Sequence, residues 1–270
     1  MNDKNYPDLE GLAPEHQNEW NRIAEALVAA GRVAEKKYPA ITSVRRDPSS
    51  PLAKTIDHTL LKQGAGATQF RELCAQARNW KTYSVCVPGS WVKLAAEELK
   101  GSGVAVCAVT GFPFGYDSTA AKVAETTHAI LEGATEIDMV LPVGLVKDDK
   151  ILDVFEDINQ VVKAAAGVLV KVILETSELT PLEIIRAATL SCFAGAHFIK
   201  TSTGFASGGA TVEALKLMRL VAGPLRGVKA SGGVRTREFA IECLELGIDR
   251  IGTSSAAAIL GFEQAPSGGY

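Results

Sequence analysis

The sequence lacks the features that mark several classes of protein. Its five cysteines are odd in number and form no CxxC pair, which argues against a zinc site or a disulfide framework. No apolar run reaches the roughly 18 residues of a membrane span, and the N-terminus does not resemble a secretory signal. The net charge of −3 gives no general attraction to nucleic acid or anionic membranes. We therefore expect a cytoplasmic protein with neither as a partner.

The 270 residues are 47% hydrophobic and 22% charged, a composition typical of a globular protein that buries a large core. Residues 1–50 differ from the rest, since helical apolar spacing over Gln17–Val33 is followed by a polar, breaker-rich stretch over Tyr38–Pro51. We predict a helical N-terminal extension and connector over 1–50, one large domain over 51–262 and a flexible tail over 263–270.

From Leu52 onward, short apolar runs alternate with longer amphipathic ones. The short runs, rich in Val, Ile and Ala as parallel strands are, are Ala53–Ile56, Tyr83–Val87, Val104–Val109, Ile137–Leu141, Val168–Leu174, His197–Lys200, Gly227–Lys229 and Arg250–Gly252. The helical stretches between them are Thr68–Trp80, Ser90–Leu99, Ser118–Gly133, Lys150–Ala166, Pro181–Gly195, Thr211–Ala222, Thr236–Leu246 and Ser254–Leu260. Eight strand–helix pairs predict an α/β fold, a single (β/α)8 TIM barrel. A doubly wound open sheet is the alternative that periodicity leaves open.

Two lysines end neighbouring predicted strands, Lys200 in FIKTSTG and Lys229 in VKASGG. In a barrel, the C-terminal ends of the strands carry the active site. Burying two close lysines is unfavourable, and both desolvation and repulsion favour a neutral, nucleophilic amine. Such an amine condenses with a carbonyl to a Schiff base, which withdraws electrons from the neighbouring carbon. The pair therefore predicts imine chemistry without a metal.

Carboxylates that could move protons also stand at strand ends. Asp138 in EIDMVLP and Asp57 in TIDHTLL are the candidates. His58 should point away from Asp57 by strand alternation, so a metal site or a triad there is disfavoured. We expect Cys86 to be a small, buried hydrophobic residue that lines the pocket at most. Lys171, within a strand and in phase with Glu175, is expected to be an inward charge paired with a neighbouring carboxylate.

Two glycine-rich turns follow the last two predicted strands. Gly232, Gly233, Val234 and Arg235 precede one helix, and Gly252, Thr253, Ser254 and Ser255 open the next. Backbone N–H groups at a helix start bind phosphate, and barrels commonly place such a site after strands seven and eight. Together the turns predict a phosphate site.

These segments resemble the deoxyribose-phosphate aldolase family over about residues 53–260. The resemblance rests on TIDHTLL, SVCVP, VTGFPFG, EIDMVLP, KVILET, FIKTSTGF, VKASGGVRT and IGTSS. It implies a class I aldolase without cofactor or metal, which cleaves 2-deoxy-D-ribose 5-phosphate to D-glyceraldehyde 3-phosphate and acetaldehyde in deoxyribonucleotide catabolism. It further implies a homodimer or homotetramer whose only other partners are phosphosugar and aldehyde substrates.

The resemblance also implies roles for individual residues. Lys200 would form the Schiff base, Lys229 would keep its amine uncharged, and Asp138 would transfer protons with Lys229. The residues that would contact substrate are Asp57, Thr59, Cys86, Thr203, Gly204, Gly232, Gly233, Val234, Arg235, Gly252, Thr253, Ser254 and Ser255. Some relatives end in a tyrosine that assists proton transfer, and this chain ends in Tyr270.

One residue departs from the family pattern. Phe205 stands where some members carry a lysine that helps to hold phosphate. We expect either weaker discrimination for phosphate or binding of the phosphate by Arg235 and the two turns. The alternatives are another phosphosugar barrel, either a different class I aldolase or an isomerase, and a non-catalytic phosphosugar-binding barrel.

Overall fold

A computed structural model describes residues 6–262 of the chain as a closed barrel of eight parallel strands, each paired with the next and the eighth with the first. The strands, labelled β1 to β8, are Ile56–Thr59, Ser84–Val87, Ala105–Thr110, Glu136–Val140, Leu169–Ile173, Phe198–Lys200, Gly227–Ser231 and Arg250–Thr253. Closure confirms the predicted (β/α)8 barrel and excludes the open sheet. Most strand residues are buried, as expected where a side chain meets either the barrel interior or the surrounding helices.

Helices connect the strands and cover the barrel. They are labelled α1 to α10 and span Pro14–Ala29, Ala67–Trp80, Val92–Glu98, Thr119–Leu131, Val143–Lys147, Ile151–Ala164, Pro181–Phe193, Val212–Ala222, Arg237–Glu245 and Ala256–Leu260. The short α5, Val143–Lys147, is absent from the sequence-based prediction. No helix within residues 6–262 is long and apolar enough to cross a membrane.

Local side-chain chemistry explains where several helices begin. Thr180 accepts a hydrogen bond from the Glu183 N–H, and the Glu183 side chain bonds back to the Thr180 N–H, which satisfies two amides of the first turn of α7. The Thr236 hydroxyl likewise accepts a hydrogen bond from the Phe239 N–H and so caps the start of α9. Ser90 is different, because it lies inside a 3₁₀ turn over Gly89–Trp91 that precedes α3.

The first strand lies three residues later than predicted. Leu52–Thr55 forms a 3₁₀ turn after Pro51, closed by the Thr55 hydroxyl, which donates to the Leu52 carbonyl at 2.7 Å. The strand then runs over Ile56–Thr59. The prediction of a strand over Ala53–Ile56 is wrong because a short apolar run is compatible with either a turn or a strand.

The N-terminal helix α1 packs against α7. Trp20 is buried there beside Phe193, with ring centroids 5.7 Å apart. Its indole N–H donates to the Tyr38 hydroxyl at 2.8 Å, and that hydroxyl donates to the Val221 carbonyl at 3.1 Å. These bonds join α1 and the following segment to the outer helical layer. The helix starts three residues before the predicted Gln17, because Pro14 suits a first helical turn.

Candidate active site

Lys200, Lys229 and Asp138 meet inside the barrel. Lys200 ends β6, as predicted, whereas Lys229 and Asp138 each stand at the middle position of their strands, β7 and β4, rather than at the predicted ends. Lys200 and Lys229 are direct partners in the β6–β7 register. Both side-chain nitrogens donate to the same oxygen, Asp138 Oδ2, at 2.8 Å from Lys200 and 2.7 Å from Lys229. Lys229 is completely buried, whereas Lys200 is 3% exposed. The structure thus brings the three residues together, with Lys200 on the more accessible side.

These residues belong to a larger set of charged side chains that we call the interior network. Its members are the bases Lys171, Lys200, Lys229 and Arg250 and the carboxylates Asp57, Glu136 and Asp138. Asp138 lies at its centre, since its second oxygen, Oδ1, accepts from Lys171 at 2.9 Å. One carboxylate therefore serves three lysines.

The pairing sets the ionisation of most of the network. Burial raises the pKa of Asp138, but the surrounding lysines outweigh burial and hold it well below its usual value. The same balance lowers the pKa of Asp57, which faces Arg250 and Lys229. Burial lowers the pKa of Lys229 and Lys171, yet the neighbouring carboxylates more than reverse this and raise both. Lys229 and Lys171 are therefore cations near neutral pH.

Lys171 points into the barrel and pairs with carboxylates, as expected, but Glu175 is not among them. Its ammonium lies 2.6 Å from Glu136 Oε2 and 2.9 Å from Asp138 Oδ1. Glu175 follows β5 in a left-handed conformation, φ 58°, so strand alternation no longer applies to it. It accepts bonds from Thr203 instead.

Asp57 is anchored from both ends of the barrel. Its Oδ2 lies 2.6 Å from Lys229 Nζ, while Oδ1 accepts from Arg250 Nε at 2.8 Å and from the Ser84 hydroxyl at 2.7 Å. Thr59 is buried one pleat further on and donates to the Asp57 carbonyl at 2.9 Å. With both oxygens engaged, Asp57 is suited to fix Lys229.

His58 points outward, as strand alternation predicts. Its Nε2 lies 2.9 Å from Gln76 Oε1, and its ring packs 5.2 Å from Trp80. Burial lowers the pKa of His58, so the imidazole is neutral near pH 7. It takes no part in the barrel interior.

Cys86 lines the interior with Cys107, and these two sulfurs lie within 4.8 Å of each other and of an Asp138 oxygen. The spacing alone would suit a metal ion. The Lys171 ammonium, however, already occupies these donors, at 2.9 Å from Asp138 Oδ1 and 3.5 Å from Cys107 Sγ. A metal cation would meet that positive charge at close range, so the cluster is poorly suited to a metal.

The predicted phosphate turns lie side by side at the C-terminal end of the barrel. Gly232 and Gly233 both have φ +78°, a region that favours glycine. A Cβ on Gly232 would be 3.0 Å from the Gly209 Cα. The Thr253 hydroxyl joins the turns by donating to the Val234 carbonyl at 2.7 Å. Gly232 is thus packed against neighbouring backbone, whereas nothing lies within 4 Å of an added Cβ on Gly233, which leaves space for a ligand there.

The remaining predicted substrate contacts flank these turns. Gly204 is near enough to Gly232 that an added Cβ would be 3.9 Å from its Cα, and Gly252 packs against the Lys229 side chain. Ser254 and Ser255 are half-buried, Arg235 is exposed, and Thr203 is buried against Glu175. Phe205 packs edge-on against Phe112 at 5.4 Å. Tyr270 lies outside the described residues.

Sequence reasoning missed two members of the network, Glu136 and Arg250. Both stand at the first position of a strand, whereas the catalytic residues of a barrel are expected at the C-terminal ends of its strands. The signal that could have found Glu136 is its spacing two residues before Asp138, which places both on one face of β4. Arg250 could have been found as a charge beginning an otherwise apolar strand.

Comparison with known proteins identifies the family. A family model described as DeoC/LacD family aldolase matches residues 52–252. Deoxyribose-phosphate aldolases from Bacillus mycoides and Bacillus cereus strain AH187 are 52% and 53% identical over 210 residues, which is 77% of this chain and 94% of each relative. This chain belongs to the DeoC/LacD aldolase family.

Solved structures of related aldolases have the same architecture. A candidate deoxyribose-phosphate aldolase from Coccidioides immitis superposes with a TM-score of 0.78 at 36% identity, covering 93% of this chain and 98% of the other. A tetrameric deoxyribose phosphate aldolase from Aeropyrum pernix gives 0.73 at 30% identity, covering 89% and 96%. Membership of the DeoC/LacD family makes the chain a carbon–carbon lyase, and the interior network is its candidate catalytic centre.

Proposed function

We propose that the chain is a class I deoxyribose-phosphate aldolase in which Lys200 forms a Schiff base with the C1 aldehyde of open-chain 2-deoxy-D-ribose 5-phosphate. The observation that carries the proposal is that Lys200 and Lys229 share Asp138 Oδ2 inside the barrel. The names of the Bacillus relatives support the substrate.

The charges of the interior network favour Lys200 as the neutral amine. The network holds one more base than carboxylate, so at least one base lacks a full counter-charge. Arg250 does not deprotonate near neutral pH, and the carboxylates raise the pKa of Lys171 and Lys229. Lys200, whose hydrogen bond goes to an oxygen that Lys229 also contacts, is therefore the base with the weakest pairing, and we assign it as the nucleophile.

The proposed reaction follows from this arrangement. The Lys200 amine attacks C1, and loss of water gives a protonated imine. The C3 hydroxyl then loses its proton, directly or through water, to the Asp138–Lys229 pair as the C2–C3 bond breaks and the electrons move toward the imine nitrogen. D-Glyceraldehyde 3-phosphate leaves, and the remaining enamine is protonated at C2 and hydrolysed to acetaldehyde. Each step uses the side chains named above and water.

The remaining assignments complete the proposal. The Gly232–Arg235 and Gly252–Ser255 turns would hold the phosphate, because they are joined by a hydrogen bond and the space beside Gly233 is open. Thr59, Cys86, Thr203 and Gly204 would line the sugar subsite. We further propose a cytoplasmic role in deoxyribonucleotide catabolism. The tetrameric relative supports a homo-oligomer.

Release of acetaldehyde tests the proposed reaction. Alcohol dehydrogenase and NADH should report acetaldehyde formed from 2-deoxy-D-ribose 5-phosphate, and an isomerase or a binding protein would give no signal. Lys200→Leu should abolish the signal, whereas Lys93→Leu, at an exposed position on α3, should retain it. Full activity in Lys200→Leu would overturn the assignment of the nucleophile, and no acetaldehyde from the unchanged protein would overturn the substrate.

A further inference from the structure

A second cavity lies at the opposite end of the barrel from Lys200. It has a volume of about 430 Å³ and is lined by Tyr83, Leu169, Phe198 and Arg250, which stand at or just before the starts of β2, β5, β6 and β8. Since all strands are parallel, their starts lie at the N-terminal end of the barrel. This basal cavity therefore lies apart from Lys200, and of its lining residues Arg250 alone belongs to the interior network.

The segment after α1 forms one wall of the basal cavity. Half of the lining residues lie within 43–50. This segment is fixed to the barrel by the Val44 N–H, which donates to the Leu225 carbonyl at 3.0 Å, and by Arg45 Nε, which donates to Asp249 Oδ1 at 2.8 Å. The segment after α1 is therefore part of a potential binding site.

The basal cavity carries a surplus of positive charge. Its charged lining consists of Arg45, Arg46, Lys54, Arg250, Asp47 and Asp249. Asp249 is already neutralised, because Arg45 lies 2.8 Å and Arg219 3.0 Å from its oxygens. Asp47 is exposed and accepts its hydrogen bonds from the neighbouring Ser49. Neither carboxylate is free to balance the other cations.

Arg46 and Lys54 form no ion pair with a carboxylate among residues 6–262, and Arg46 acts on the exposed Asp47 only through longer-range attraction. The Arg46 NH1 group donates only to the carbonyls of Asp47 and Pro48, at 3.2 and 3.0 Å. Its buried Nε has no hydrogen-bond partner among the residues described. Lys54 is half-buried and forms no ion pair within residues 6–262. Two cations beside one concave space are suited to an anion of more than one negative charge.

We propose that the basal cavity binds a small polyvalent phosphate anion, with Arg46 and Lys54 as its main partners. The volume exceeds what one phosphate needs and falls within the range of small-molecule sites, so a pyrophosphate or a phosphorylated metabolite fits. The exposed Tyr83 ring and Leu169 supply apolar surface for the rest of such a metabolite. The proposal depends on this end of the barrel alone and stands independently of the proposed aldolase reaction.

Hydrogen–deuterium exchange of the full chain tests the proposal and locates the site. Pyrophosphate and D-ribose 5-phosphate serve as separate probes, with potassium chloride at equal ionic strength as the reference. We expect saturable protection of peptides that span 43–54 with at least one probe. Stronger protection by pyrophosphate would identify an inorganic anion, and stronger protection by the sugar phosphate would identify a metabolite.

Two double variants make the result decisive. The double variant Arg46→Ala with Lys54→Ala should bind the probe more weakly, so that the apparent Kd measured from protection of 43–54 rises at least about tenfold. Aldolase activity and the circular dichroism spectrum should be unchanged. Lys62→Ala with Arg71→Ala removes the same charge at exposed positions elsewhere and should leave the protection intact. Absence of protection at 43–54, equal protection by chloride, or the same loss in both double variants would overturn the proposal.

Discussion

The two ends of the barrel interior pair their bases with carboxylates in opposite ways. At the N-terminal end, Arg250 contacts both Asp57 and Glu136 and is held by several bonds. At the C-terminal end, Lys200 has a single bond, to an oxygen that Lys229 already occupies. A base with many partners is firmly paired, whereas Lys200 shares the carboxylate oxygen that it contacts. This difference supports the proposal that Lys200 is the reactive lysine, because unequal pairing, rather than burial alone, sets it apart from the other bases.

Removing the shared carboxylate should have the largest effect on this contrast. In Asp138→Asn, three lysines lose a counter-charge, so we expect kcat to fall by about 10²–10⁴-fold and the free energy of unfolding to fall by about 3–5 kcal/mol. Steady-state kinetics and urea unfolding measure the two effects.

A matched control is Asp157→Asn, which breaks a buried pair with Lys122 at 2.8 Å between α4 and α6. It should destabilise the fold by a similar amount while leaving kcat within about twofold of the unchanged protein. A comparable loss of kcat in both variants would show that the effect of Asp138 is structural only.

Replacing one of the two other lysines that contact Asp138 should sharpen the contrast. In Lys229→Met, Lys200 gains sole use of Asp138 Oδ2 and loses a repelling neighbour, so protonated Lys200 becomes more stable. The acidic limb of the pH–rate profile should move to higher pH, and kcat at pH 7 should fall by about 10²-fold. Lys171→Met removes a cation from the other oxygen, Oδ1, and should move the limb less. Equal shifts would contradict the distinction between the two oxygens.

The depressed carboxylate pKa values predict how acid affects the fold. The pKa of Asp57 lies below its unfolded value of 3.8, so ionised Asp57 stabilises the fold above about pH 4, and this stabilisation declines as the pH falls toward the folded-state value. Between about pH 4 and 2 the decline should approach about 1.4 kcal/mol per pH unit for this group. Asp57→Asn should flatten the pH dependence of urea unfolding in that window. An unchanged slope would contradict strong pairing of Asp57.

The smallest expected effect concerns the phosphate turn. Gly232→Ala would place a Cβ 3.0 Å from the Gly209 Cα at φ +78°, so we expect KM for the phosphorylated sugar to rise by about tenfold, with kcat/KM for unphosphorylated 2-deoxyribose altered less. Gly101→Ala is the control, because φ is +75° there and nothing lies within 4 Å of an added Cβ. Parallel losses on both substrates would argue against phosphate binding by this turn.

Several features were predictable from sequence because they follow from periodicity. Alternating apolar and amphipathic runs predicted the barrel, and the barrel in turn predicted that Lys200, Lys229 and Asp138 lie close together. Pairing partners were harder to predict, because they depend on where regular backbone stops. Lys171 does not pair with Glu175, because Glu175 follows the strand in a left-handed conformation. The strand β1 begins later than predicted, because Pro51 is followed by a 3₁₀ turn. The positive basal cavity depends on tertiary packing of a loop, which has no sequence period.

Reductive trapping tests the central assignment most directly. The chain is incubated with acetaldehyde and sodium borohydride, digested, and mapped by mass spectrometry. The account predicts one stable ethyl adduct on the peptide that contains Lys200, and no adduct there in Lys200→Leu. An adduct on Lys229 or Lys171 instead, or none under conditions in which the enzyme turns over, would contradict it.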